Sequence, residues 1–75
     1  MDFQPDEIRV LKILADAKAM PFLDLQGRSG LHENVLQSIL ERLEQLGVVR
    51  VTNAEDVFEE IVTVRDRGLR LAYGT

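Results

Sequence analysis

"SGLHENVLQSILERLEQLGVV", residues 29–49, is the stretch on which the fold of this chain turns. Leu36, Ile39, Leu40, Leu43 and Leu46 recur in it at helical spacing, with Val35 beside them, and such a stripe needs an apolar surface to cover it. Glu33, Asn34, Gln37, Ser38, Glu41, Arg42, Glu44 and Gln45 are left on the wet side. The spacing predicts a helix over 32–46. Ahead of it "SGL" (29–31) reads as a tight turn, with Gly30 free to take positive φ, and Gly47 suits a helix terminator. Beyond Gly47 the pattern changes. "VVRVT" (48–52) is β-branched and partly alternating, and "EIVTV" (60–64) matches it across a loop at 53–59, which predicts an antiparallel hairpin.

Upstream, "PDEIRVLKILADAK" (5–18) predicts a first helix, with Pro5 in its first turn and Asp6 and Glu7 at the positive end of its dipole. Ile8, Leu11, Leu14 and Ala15 mark its inner face, widened by Val10, Ile13 and Ala17. It should stop near Ala19, because Pro21 disfavours helical geometry at Met20. "FLDLQGR" (22–28) allows a short second helix, weakened by about 1 kcal/mol at Gly27. The tail "RDRGLRLAYGT" is read as a last short turn of helix at most, with Leu69, Leu71 and Tyr73 as packing residues. The expected fold class is mainly α with a small antiparallel β-hairpin. Its expected core is Ile8, Leu11, Leu14, Leu25, Leu31, Leu36, Ile39, Leu40, Leu43, Val49, Val51, Ile61 and Val64.

Composition narrows the function. A length of 75 residues predicts one domain, 1–75, and 45% hydrophobic residues argue against disorder. One histidine and no cysteine leave no nucleophilic triad and no metal cluster, so neither an enzyme nor a cofactor is expected. "GRSG" (27–30) lacks the lysine and spacing of a phosphate loop. The start "MDFQPDEI" is acidic where a signal peptide would be basic, and no apolar run approaches membrane length, so a cytoplasmic protein is expected. Nine Lys plus Arg against thirteen Asp plus Glu give a net charge of −4. Binding to nucleic acid would therefore need a local basic face.

The order helix, short helix, tight turn, long helix, hairpin resembles a winged helix-turn-helix domain, three helices plus a wing, of the MarR-like and related small bacterial or archaeal regulators. "SGLHENVLQSILERLEQLGVV" is similar to that family's turn, recognition helix and exit into the wing, and "VRDRGLRLA" to the stretch after it. The likeness runs from Leu23 to Ala72. Phe22 stands where the family has a Ser or Thr cap, Arg65 where a threonine is common, and the wing tip is acidic where DNA-binding members tend to be basic.

The resemblance implies a transcriptional regulator that binds double-stranded DNA with the long helix in the major groove. Glu33, Asn34, Gln37, Ser38 and Arg42 would face the bases: Asn and Gln pair with adenine, Arg with guanine, and Glu accepts from cytosine. Ser38 and His32 would reach bases or phosphates, and Arg28, Arg42 and Arg50 would clamp phosphates. Arg42 has a second reading, as a partner for a neighbouring glutamate on its own helix. Arg65, Arg67 and Arg70 are read first as balance for the acidic wing, and otherwise as contacts to DNA backbone or to another subunit. Such regulators usually act as two-fold homodimers, which here would use the first helix or the tail around Leu69, Leu71 and Tyr73.

The wing "NAEDVFEE" (53–60) supports a different partner. A phosphate backbone would repel Glu55 and Asp56 within a Debye length. With Glu59 and Glu60 they suit a protein partner with a basic surface, for which Phe58 is either the apolar anchor or simply a residue tucked against the core.

Overall fold

The computed structural model describes residues 3–73, without the side chains of Val57 and Tyr73. Its elements are α1 (Pro5–Ala17), β1 (Ala19–Pro21), α2 (Phe22–Ser29), α3 (Glu33–Gln45), β2 (Val49–Thr52), a 3₁₀ turn (Val57–Glu59), β3 (Ile61–Val64) and α4 (Asp66–Tyr73). This is the expected winged helix, mostly α, with two additions: a third strand and a complete fourth helix.

Helix α1 begins as the sequence implies. Pro5 sits in its first turn, and Glu7 Oε1 accepts the Gln4 backbone N–H at 2.7 Å, which satisfies one of the donors a helix start leaves open. It ends at Ala17, two residues short of expectation. Lys18 takes φ 73° with ψ −45°, a positive-φ kink outside the left-handed helical region, from which the chain leaves as an extended strand. Pro21 can belong to that strand because β1 lies at the sheet edge, where a missing N–H interrupts no ladder. The sheet order is β1-β3-β2, antiparallel throughout, with Met20 opposite Val62 and Val51 opposite Val62 on the other side. Hydrogen bonds from Val64 N to Lys18 O (2.9 Å) and from Phe22 N to Glu60 O (2.8 Å) close the two ends of the β1–β3 pairing.

The core unites Val10, Leu11 and Leu14 of α1, Phe22 and Leu25 of α2, Leu36, Leu40 and Leu43 of α3, and Val48, Val49, Val62 and Val64. Ile8, Leu31, Ile39 and Val51 are half-buried. Ile61 is a correction: it is 38% exposed while Val62 is fully buried. Successive strand residues face opposite sides, so Ile61 and Val64 cannot share one face, and the pairing register sends Val62 and Val64 inward together.

Gly68 seats α4 against the sheet. A Cβ there would lie 2.3 Å from the Val48 carbonyl oxygen and 2.8 Å from Val64 Cγ2. Gly68→Ala should therefore lower stability, because overpacking costs about 1–3 kcal/mol, more than the about 1 kcal/mol that alanine gains in helix propensity. At about 4–8 °C per kcal/mol for a domain of this size, thermal denaturation should show a fall of several degrees. An unchanged or raised Tm would mean that α4 does not lie on Val48.

Candidate nucleic-acid interface

The turn between α2 and α3 is held by local hydrogen bonds. Gly30 caps α2 at φ 71°, with its N–H on Gln26 O at 3.0 Å. Ser29 is buried; its hydroxyl donates to Gln26 O (3.2 Å) and accepts the Leu31 N–H (3.3 Å), while Arg9 Nη1 donates to Ser29 O (3.3 Å). The turn thus fixes the angle at which α3 leaves. Leu36, Leu40 and Leu43 then lock α3 from below, which leaves Asn34, Ser38 and Glu41 exposed and Glu33 and Gln37 half-buried. His32 is exposed in front of the helix and caps no backbone N–H with its side chain.

Between α3 and the wing runs an open groove of about 540 Å³. Phe22, Leu40 and Val51 contribute apolar surface to it, and Asn34, Gln37 and Ser38 line it from α3. Its charged lining is Glu41, Glu44 and Glu60, with no lysine or arginine. The structure brings together Asn34, Gln37, Ser38 and Glu60, but not the arginines. Arg28 is exposed in the last turn of α2, and Arg50 is exposed on β2, on the sheet face opposite Val49.

Arg42 has an intramolecular partner that the sequence did not suggest. Its guanidinium pairs with Glu7 of α1, 35 residues away, and lies 5.9 Å from the centre of the Phe3 ring. Glu7 is only 3% exposed. A carboxylate so buried needs a charged partner, and α3 supplies it, so Arg42 ties α3 to α1. Sequence reasoning saw Glu7 only as a helix-start residue, since no local pattern links positions 7 and 42.

The wing loop curls back on the domain. Asp56 Oδ1 accepts the Phe58 N–H at 3.0 Å, and the 3₁₀ turn brings the Phe58 ring to 6.0 Å from Phe22, tilted by 54°. Phe58 is half-buried and packs against the core. Glu55, Asp56 and Glu59 are exposed and Glu60 is half-buried. Among the described residues the ion pair is Glu7–Arg42, and Arg65, Arg67 and Arg70 stand exposed at the base of the hairpin and on α4. Leu69 and Leu71, read as dimer candidates, are half-buried against the core, and the Tyr73 side chain lies outside the described residues. Among the described residues no helix is long and apolar enough to cross a membrane, and no group of three His, Cys, Asp or Glu could hold a metal ion.

No protein-family model matches the sequence, and no curated protein matches it either. Solved structures do match. NadR, solved with 4-hydroxyphenylacetate, superposes over 97% of this chain with a TM-score of 0.87 at 22% identity. BpsR of Bordetella bronchiseptica, whose DNA binding is regulated by 6-hydroxynicotinic acid, superposes over 97% with a TM-score of 0.88 at 19% identity. A MarR-family transcriptional regulator from Silicibacter pomeroyi superposes over 96% with a TM-score of 0.82 at 25% identity. The chain spans about half the length of each (52%, 52% and 51%). It has the MarR-like winged-helix fold.

Proposed function

We propose that this MarR-like winged helix serves a transcriptional regulator in the cytoplasm, as one domain that reads double-stranded DNA with the exposed edge of α3. The observation that carries the reading is the presentation of Asn34, Gln37 and Ser38 side by side on a helix whose opposite face is locked in the core. Glu33 and His32 extend that edge towards the helix start. With Arg42 held by Glu7, the phosphate clamps reduce to Arg28 and Arg50. Each clamp releases about 0.9 counterion, so affinity should fall with a log–log salt slope of only about −2 per protomer.

A salt-dependent titration with DNA from the protein's own genomic neighbourhood tests this. Gln37→Ala should change sequence preference by about 1–3 kcal/mol at one base position. Arg28→Ala should instead weaken all sequences alike and flatten the slope by about 0.9. Affinity weaker than about 10⁻⁴ M at low salt, below ordinary non-specific binding, would sink the reading.

The charge of the groove favours a second reading, a winged-helix module that binds a protein with a basic surface. Glu41, Glu44 and Glu60 line the same groove that would approach DNA, and Glu55, Asp56 and Glu59 stand exposed beside it. Under this reading the acids speed encounter and select the partner more than they add affinity. The joint change Glu55→Lys and Asp56→Lys separates the two. It should strengthen DNA binding if the first reading holds and impair capture of a basic partner if the second does.

A further inference from the structure

The acidic groove and the free arginines match each other. Glu41 and Glu44 lie three residues apart on α3, and Glu60 faces them across the groove from the wing. Arg67 and Arg70 lie three residues apart on α4, with Arg65 just before that helix. Residues at this spacing stand about 5–6 Å apart on one side of a helix, so the two pairs can meet rung for rung. The arginines line a cleft of about 390 Å³ with Gly47, and Asp66 is the one acid there.

One molecule does not satisfy this match by itself. Arg65, Arg67 and Arg70 have no ion-pair partner among the described residues. Arg65 leaves the sheet at the base of the hairpin, where its N–H donates to Val48 O at 3.0 Å, whereas Glu60 enters at the tip. Five residues of extended chain, roughly 16 Å, separate them.

We propose that the groove between α3 and the wing receives the arginine face of α4 from a second copy of this chain, and that this head-to-tail contact covers the edge of α3. The occupant is chosen by charge: three carboxylates with no base in the groove, three guanidiniums with one acid in the cleft. Because donor and acceptor faces differ, the contact is heterologous, so it extends into rings or open chains instead of stopping at a two-fold dimer. The net charge of −4 opposes association at very low salt, where repulsion reaches about 30 Å, and salt near 1 M, with a Debye length of about 3 Å, dissolves the contact. Association should therefore peak between these limits. That the contact also regulates α3 rests on the DNA reading; the association itself does not.

Sedimentation velocity of the full chain decides it. At about 0.1 M salt, where the Debye length is about 10 Å, and with protein raised towards about 1 mM, a contact energy of about −4 kcal/mol, the weight-average mass should at least double. At about 1 M salt it should return to that of one chain. The triple variant Arg65→Glu, Arg67→Glu, Arg70→Glu should stay monomeric, and so should Glu41→Lys, Glu44→Lys, Glu60→Lys. An equal mixture of the two should associate again, because each supplies the face the other needs; circular dichroism of each variant checks its fold, and Arg→Gln replacements, which only neutralise, should also abolish association. A wild-type chain that stays monomeric throughout overturns the proposal. So does association that survives charge reversal, which would place the contact on another face. A monomeric chain whose groove instead binds an oligoarginine peptide overturns the second copy in favour of a foreign basic partner. Failure of the DNA titration leaves the sedimentation result standing, so the two ideas fail separately.

Discussion

Replacing Phe22 with alanine is expected to remove about 3–5 kcal/mol of stability, the range for emptying a buried aromatic site. Phe22 is 1% exposed and is the largest fully buried side chain among the described residues. A chain of this size holds about 0.05–0.15 kcal/mol per residue in total, so the loss consumes a large part of what there is. It also loosens the wing, because Phe58 packs on the Phe22 ring, although the backbone bond from residue 22 to the Glu60 carbonyl remains. Urea denaturation should show a much lower midpoint, and amide exchange around the 3₁₀ turn should speed up before the core does. Phe22→Leu, which keeps most of the volume, should cost less than about 1.5 kcal/mol. A cost under 1 kcal/mol for the alanine variant would mean that the wing is not seated on α2 (a full cavity costs several times that).

Arg42→Ala should cost about 2–3 kcal/mol, by leaving the Glu7 carboxylate buried with little more than the Gln4 N–H to compensate it. Breaking a fully buried pair costs about 3–5 kcal/mol; the estimate sits lower because the Arg42 side chain is 43% exposed, against 5% for Glu7. Glu7→Ala should cost a similar amount, since it removes the pair and a helix-start acceptor together. The double variant should be less destabilised than the sum, with a coupling of about 1–3 kcal/mol in a double-mutant cycle. Additive losses would show that the pair contributes nothing as a pair. The same Arg42→Ala protein gives a functional readout: its salt slope for DNA should equal the wild-type slope, whereas a phosphate-binding Arg42 would flatten it by about 0.9.

Local patterns carried the helices, the turn and the hairpin. The apolar repeat through Leu36, Leu40 and Leu43 required a helix, and Gly30 and Gly47 bounded it with the positive φ they now hold. Each of these decisions is made within one or two turns of chain, where spacing and backbone freedom suffice. The polar edge of α3 was visible for the same reason, being what the apolar stripe leaves over.

What the sequence could not decide by itself are the features whose partners lie far along the chain. Strand β1 is three residues including a proline, too short to signal itself, and it forms because β3 offers a free edge. Ile61 and Val62 look alike in a β-branched run, and only the register against β1 and β2 sends one outward and the other in. Phe22 stands where a capping hydroxyl was expected, and the wing gave it a different use. The pairing of Arg42 with Glu7 was hidden from the sequence, because it arises only when the fold brings α1 and α3 together. Periodicity determines which face of an element is apolar, but only tertiary structure determines which polar groups must be neutralised in place and which stay free to meet a partner.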